Sequence, residues 1–142
     1  MTRTRILVIT AFVMMALFVS LSFAQEKDTV RIKDRVAIEQ LMWDYIRALD
    51  SGNAEAYAAL FAPDGQFGRG DKAVKGREAL LKMMKDAGQK MDTAKKNGEK
   101  MERMNHVLTN THIEFVNDDH ARFYAYWMGV FTSGKVTSAG RE

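Results

Sequence analysis

Apolar positions early in the chain recur at helical spacing. Val36, Ile38, Leu41, Met42, Tyr45, Ile46 and Leu49 form one broad stripe, with Arg35, Glu39, Gln40 and Arg47 between them. Asp34 is the residue type that caps a helix start, and Gly52 suits the left-handed position just past a helix end. Asn53 then predicts the cap of a shorter helix over residues 54–61, with Tyr57, Leu60 and Phe61 on its apolar side and Pro63 stopping it. Asp64-Gly65 reads as a turn and Gln66-Phe67-Gly68 as a short strand. The loop that follows has room for a second short strand at residues 72–74. Residues 77–87 predict a third helix, with Leu80, Leu81 and Met84 inward.

Residues 88–103 break the pattern. They are Lys-rich, punctuated by Met and interrupted by Asn97-Gly98, and they read as a solvated helical excursion or loop inserted before the next element. Lys95-Lys96 reads as a wet face rather than a binding patch. The period then changes to two. Residues 105–116 and 121–132 are strand-like, and Asn117-Asp118-Asp119-His120 supplies the polar turn of an antiparallel hairpin. The second strand carries Phe123, Tyr124, Tyr126, Trp127, Met128 and Phe131, apolar on both faces, as a strand in the middle of a sheet would be. Helices first and antiparallel strands later make the fold class α+β, with helices packed on one face of a curved sheet.

The first residues need a separate reading. Arg3 and Arg5 precede an uncharged apolar run from Ile6 to Ala24, and Ser22-Phe23-Ala24 places small residues at the two positions that mark a cleavage site. Residues 1–24 are therefore expected to be a secretory signal peptide cut after Ala24, with periplasmic or secreted localisation; an uncleaved membrane anchor is the rival reading. The charged lead-in 25–33 and one domain over 34–142 remain. Cleavage removes Arg3 and Arg5 and so takes the net charge from +3 to +1. That leaves no basic excess to argue for nucleic acid, and no basic stripe with interleaved aromatics is present. The chain has no Cys, which excludes disulfides, a thiol nucleophile and lipid modification at a cysteine.

The stretch "IEQLMWDYIRALDSGNAEAYAALFAPDGQF" from Ile38 to Phe67, with "NHVLTNTHIEF" and "HARFYAYW" later, resembles the SnoaL-like branch of the nuclear transport factor 2-like superfamily. The resemblance covers residues 32–132. It implies a cone, a strongly bent sheet wrapped on a long helix around an apolar pocket, in a superfamily that includes polyketide cyclases, dehydratases, isomerases and non-enzymes. It implies a homodimer as well. Two departures stand out: residues 88–103 are longer than the usual connection, and the chain stops at Ser138–Glu142 where relatives begin another strand pair. The resemblance thus predicts a domain lacking its final strands, with the run 121–132 short of a neighbour.

Candidate chemistry follows from the same resemblance. In the family's dehydratases a Tyr and an Asp from the first helix and a His from the long strand line the pocket; Tyr45, Asp50 and His106 match those positions. His106 would be general base, Tyr45 a donor to a substrate oxygen, and Asp50 the residue orienting the His. Removing a proton beside a carbonyl needs a base that works near neutral pH and a donor for the developing enolate. Each has a structural alternative: a helix-end cap for Asp50, aromatic packing for Tyr45 and a satisfied core histidine for His106. Trp43, Phe67, Asn110, Tyr126 and Trp127 are expected to line the pocket. Alternation places His106, Leu108, Asn110 and His112 on one strand face, with Val107, Thr109, Thr111, Ile113 and Phe115 on the other. His112 and His120 read as surface residues. No metal-ligand spacing, glycine-rich phosphate loop or nucleophile elbow occurs, so no cofactor or metal is expected. The expected activity is binding of an apolar or aromatic small molecule, with lyase or isomerase chemistry at the Tyr-Asp-His set. The alternative is a non-catalytic ligand-binding or dimerisation module of the same fold.

Overall fold

A computed structural model describes residues 31–141. The expected signal peptide, residues 1–24, and residues 25–30 of the lead-in lie outside the described residues. By contacts the chain divides into two units, residues 1–38 and 39–142. The described part of the first unit is helical throughout.

The first helix, α1, covers residues 31–51. Asp34 is therefore inside the helix rather than capping it, because Arg31, Ile32 and Lys33 are already helical and tolerate that state. The far end is as the sequence implies. Gly52 takes φ 68°, its N–H donates to the Leu49 carbonyl at 3.1 Å, and the Asn53 N–H donates to the Ala48 carbonyl at 3.0 Å. Asn53 caps helix α2 (Ala54–Ala59), its Oδ1 accepting the Ala56 N–H at 3.0 Å.

Strands β1 (Gln66–Phe67) and β2 (Val74–Lys75) form a two-stranded antiparallel ribbon flanking a 3-10 turn at Gly70–Lys72. Helix α3 runs Arg77–Lys96, longer than the 77–87 expected. Gly88 does not end it. An interior glycine costs about 1 kcal/mol, and Gln89, Lys90, Met91, Ala94 and Lys95 on its far side are good helix formers. The helix stops at Asn97-Gly98, where Gly98 takes φ 80° and the Glu99 N–H returns to the Ala94 carbonyl at 3.1 Å. Most of the expected insertion is thus helix, and Lys95 and Lys96 sit in its last turn, where cations suit the helix dipole.

The second sheet has the order β3-β4-β5, from β3 (Met104–Phe115), β4 (Ala121–Phe131) and β5 (Val136–Arg141), all antiparallel. β4 is the central strand. Its expected lack of a neighbour is corrected here: residues 136–141 fold back onto Tyr126–Val130 through a turn at Gly134, φ 85°. The β3–β4 turn closes with the Val116 N–H on the His120 carbonyl at 2.8 Å and an Asx bond from the Asp119 N–H to Asn117 Oδ1 at 2.9 Å.

One irregularity decides which side chains face inward. Register slips between Thr109 and His112, so Asn110 and Thr111 together oppose one β4 residue, and Asn110 takes φ 51°. This is a β-bulge at a residue type that tolerates the left-handed region. Before it, His106 and Leu108 pair with Gly129 and Trp127; after it, Ile113 and Phe115 pair with Phe123 and Ala121. All eight share one sheet face. Uninterrupted alternation set Ile113 and Phe115 opposite His106, and the bulge reverses that phase.

The closed core lies among the helices. Ala48, Ala54, Tyr57, Ala58, Leu80 and Met84 are buried, with Tyr45, Leu49, Phe61 and Val74 packed around them. Tyr57 and Leu80 have no exposed surface.

Candidate active site

The other side of α1 faces a cleft. Glu39, Met42, Trp43 and Ile46 from the helix and His106, Val107, Leu108, Thr111 and Phe123 from β3 and β4 enclose about 530 Å³. Helical spacing produces this division: Met42 and Ile46 are one turn apart on the cleft side, while Tyr45, Ala48 and Leu49 turn to the core. The cleft wall is mainly aliphatic and aromatic. Its polar groups are Glu39, His106 and Thr111.

Asp50 holds His106 at one end of this cleft. His106 Nδ1 lies 2.6 Å from Asp50 Oδ1, and the His106 backbone N–H donates to both carboxylate oxygens, at 3.0 and 3.2 Å. The two side chains are only 18% and 17% exposed, so the contact is shielded from water on most sides. An ionised carboxylate can only accept. Nδ1 must therefore be the protonated ring nitrogen, which leaves Nε2 as the acceptor of the neutral ring. The main-chain bond fixes the start of β3 against the end of α1, and the side-chain bond fixes the ring. The Trp127 ring, centroid 6.0 Å from that of His106 and tilted by 45°, supports the imidazole on the same sheet face.

The α+β fold that carries this pair is matched by comparison with known proteins. The model of the SnoaL-like domain matches residues 30–141. The chain belongs to the SnoaL-like family. No functionally curated protein matches it. Solved structures with the nuclear transport factor 2-like fold do. A protein of unknown function from Mycobacterium tuberculosis is 21% identical, with a TM-score of 0.60, over 76% of this chain and 62% of that one. The chain thus spans less than two thirds of that relative's length. A protein from Novosphingobium aromaticivorans provisionally named a scytalone dehydratase is 26% identical, with a TM-score of 0.56, over 81% of this chain and 70% of that one. A nuclear transport factor 2-like protein with a cystatin-like fold, from the same organism, is 28% identical with a TM-score of 0.57, over 78% of this chain and 70% of that one.

Within this SnoaL-like domain the residues singled out from the sequence separate. His106 and Asp50 come together, Trp43 lines the cleft, and Trp127 stands beside His106. Tyr45 is placed elsewhere. Its ring packs on Tyr57 and Phe61, at centroid distances of 5.3 and 6.2 Å, on the core side of α1. Its partner there, Tyr57, has a buried hydroxyl that makes no hydrogen bond of standard geometry; burial first, and the nearby Tyr45 hydroxyl second, push that phenol's pKa up. Phe67 meets Tyr57 edge-on at 6.5 Å, on the helical side. Asn110 forms the bulge, and Tyr126, 47% exposed, lies on the outer sheet face opposite Thr109. His112 stacks on Tyr124 and His120 bonds Asn117 in the turn, both away from the cleft.

Sequence reasoning missed Glu39, Met42, Ile46, Val107, Leu108, Thr111 and Phe123 as cleft residues. Met42 and Ile46 were visible as apolar but not assigned to a side of the helix. Thr111 was placed on the wrong strand face by the bulge, whose one signal is an Asn inside a strand-like run. Among the described residues no group of three His, Cys, Asp or Glu could hold a metal ion.

Proposed function

We propose that the cleft binds an apolar or aromatic small molecule and that His106 removes a proton from it. The observation that carries this reading is the Asp50–His106 pair at the cleft wall. Asp50 sets the tautomer that leaves Nε2 as base, and it would stabilise the imidazolium formed when Nε2 takes the proton. The apolar surroundings of Met42, Ile46, Leu108 and Phe123 would hold the substrate and exclude water from the reacting carbon. The elementary step is abstraction of a proton next to a carbonyl, the first half of a cofactor-independent dehydration or isomerisation. The name given to the Novosphingobium relative is consistent with this class.

The position of Tyr45 favours a second reading. With its ring in the core cluster, the expected donor to a substrate oxygen is not at the cleft, and a binding module needs none. Deuterium exchange separates the two. A compact aromatic ketone with acidic α-hydrogens, 2-tetralone, is incubated with the protein in heavy water and followed by mass spectrometry. The catalytic reading expects exchange above the buffer rate that falls at least about 100-fold in His106→Asn. Binding without exchange supports the module.

The reading includes export after cleavage at Ala24, supported by the leader pattern, and pairing of two copies through the outer sheet face. Tyr126 is 47% exposed on that face. Intact mass of envelope protein starting at Gln25 tests the first, and sedimentation of Tyr126→Lys against wild type tests the second.

A further inference from the structure

The cleft has a second polar end. Measured from the Asp50–His106 contact, Glu39 lies eleven residues back along α1, about 16 Å at the helical rise. Thr111 lies five residues forward along β3, which the bulge shortens to four steps of the ladder, about 13 Å at the strand rise. Both residues line the same cleft as His106, each several residues removed from the pair along its own element. The Asn110 bulge turns Thr111 to the face of His106 and Leu108: without the slip in register its side chain would share the face of Thr109. Trp43, one turn after Glu39 on the same helix side, lines the cleft with 64% of its surface exposed.

These three groups have one chemistry in common. A carboxylate accepts hydrogen bonds and carries negative charge, a threonine hydroxyl accepts as well as donates, and an indole face attracts cations. Between this end and His106 the wall is apolar. We propose that Glu39, Thr111 and Trp43 form a recognition site for the far end of the ligand, and that this end bears a cationic, hydrogen-bond-donating group such as an amine. The ligand class is then an elongated aromatic or polycyclic molecule, with one end at His106 and its ammonium at Glu39. Anionic ends are rejected by the same carboxylate. This rests on the cleft being a ligand site, but not on its being catalytic.

The experiment uses three biphenyls that differ at one end, none with an acidic α-hydrogen: 4-(aminomethyl)biphenyl, 4-methylbiphenyl and biphenyl-4-carboxylate. Each is titrated calorimetrically into wild type, Glu39→Gln, Thr111→Val and His106→Asn, and each variant's melting curve is recorded first. The amine is expected to bind about tenfold more tightly than the methyl compound, the sum of a solvent-accessible ion pair and a cation–π contact. The carboxylate is expected to bind more weakly than either. Glu39→Gln should cut the amine preference to about threefold and Thr111→Val should lower it by a smaller factor. His106→Asn should change all three affinities by the same factor, because His106 lines the cleft but does not meet the end that varies. Equal binding of amine and carboxylate, or a preference that survives Glu39→Gln in a variant that melts normally, overturns the proposal. Failure of all three probes to bind overturns the ligand-site reading beneath it, whereas loss of deuterium exchange alone leaves the recognition site standing.

Discussion

The two sides of α1 are built for different ends. On one, Tyr45, Ala48 and Leu49 press against α2 and α3, where Tyr57 and Leu80 have no exposed surface. On the other, Met42, Trp43 and Ile46 look onto about 530 Å³ of open cleft. The same helix period and much the same residue types serve both. What differs is whether another element closes the space. Helices α2 and α3 fill the first side with small and aromatic side chains. The sheet forms the far wall of the second, and a polar link, Asp50 to His106, joins the two. The open side, with the oriented histidine, is the one our proposal assigns to the ligand.

That comparison can be broken at several levels. The largest effect is expected in the core. Tyr57→Ala should cost about 3–5 kcal/mol and Leu80→Ala about 2–5 kcal/mol by denaturant unfolding, because each leaves a cavity with no solvent access. Tyr57→Phe should change stability by less than about 1 kcal/mol, since the hydroxyl makes no standard hydrogen bond. Next comes the polar link. Asp50→Ala should cost about 1–3 kcal/mol, more than His106→Ala, because it strands the His106 main-chain N–H as well as the ring. If the histidine variant proves the more damaging, the pair is a structural anchor rather than a site. Trp43→Ala should shift the unfolding midpoint by no more than about 0.5 kcal/mol while weakening binding of the biphenyl amine.

The smallest effect belongs to the exposed α2–α3 pair. A side-chain bond from Lys85, at 2.8 Å, holds the Glu55 carboxyl below its ordinary value. A lowered folded-state pKa lends stability that is present above the unfolded pKa and lost as pH falls through the folded one. Because the pair is fully in solvent, Lys85→Ala should leave the melting temperature near pH 7 almost unmoved and slightly flatten its fall below pH 5.

Much of this was legible in the residues. The stripe from Val36 to Leu49, the Gly52 and Asn53 caps and the Asn117–His120 turn each have a local chemical cause, and each element formed where that cause stood. His106 and Asp50 were visible as a matched pair, though their contact joins residues far apart in sequence. The errors share a different origin. Which side of α1 receives Tyr45 depends on where α2 and α3 dock, and periodicity alone assigns it to a stripe that faces both ways. The phase of β3 beyond Asn110 depends on one bulge, which moved Thr111 into the cleft, while Tyr126 faces outward because it alternates with Trp127 along β4. Gly88 looked like an ending, but the residues beyond it carry the helix to Lys96 at a tolerable cost.

The central claim is that Asp50 holds His106 as a base aimed at a ligand. It is tested most directly by nitrogen-15 NMR of the His106 ring in the neutral state, with and without 2-tetralone. The account predicts a protonated Nδ1 and an unprotonated Nε2 in the free protein, a resonance of Nε2 that moves when the ketone binds, and loss of the tautomer preference in Asp50→Asn. A ring protonated at Nε2, or an Nε2 signal untouched by a ketone that demonstrably binds, would contradict it.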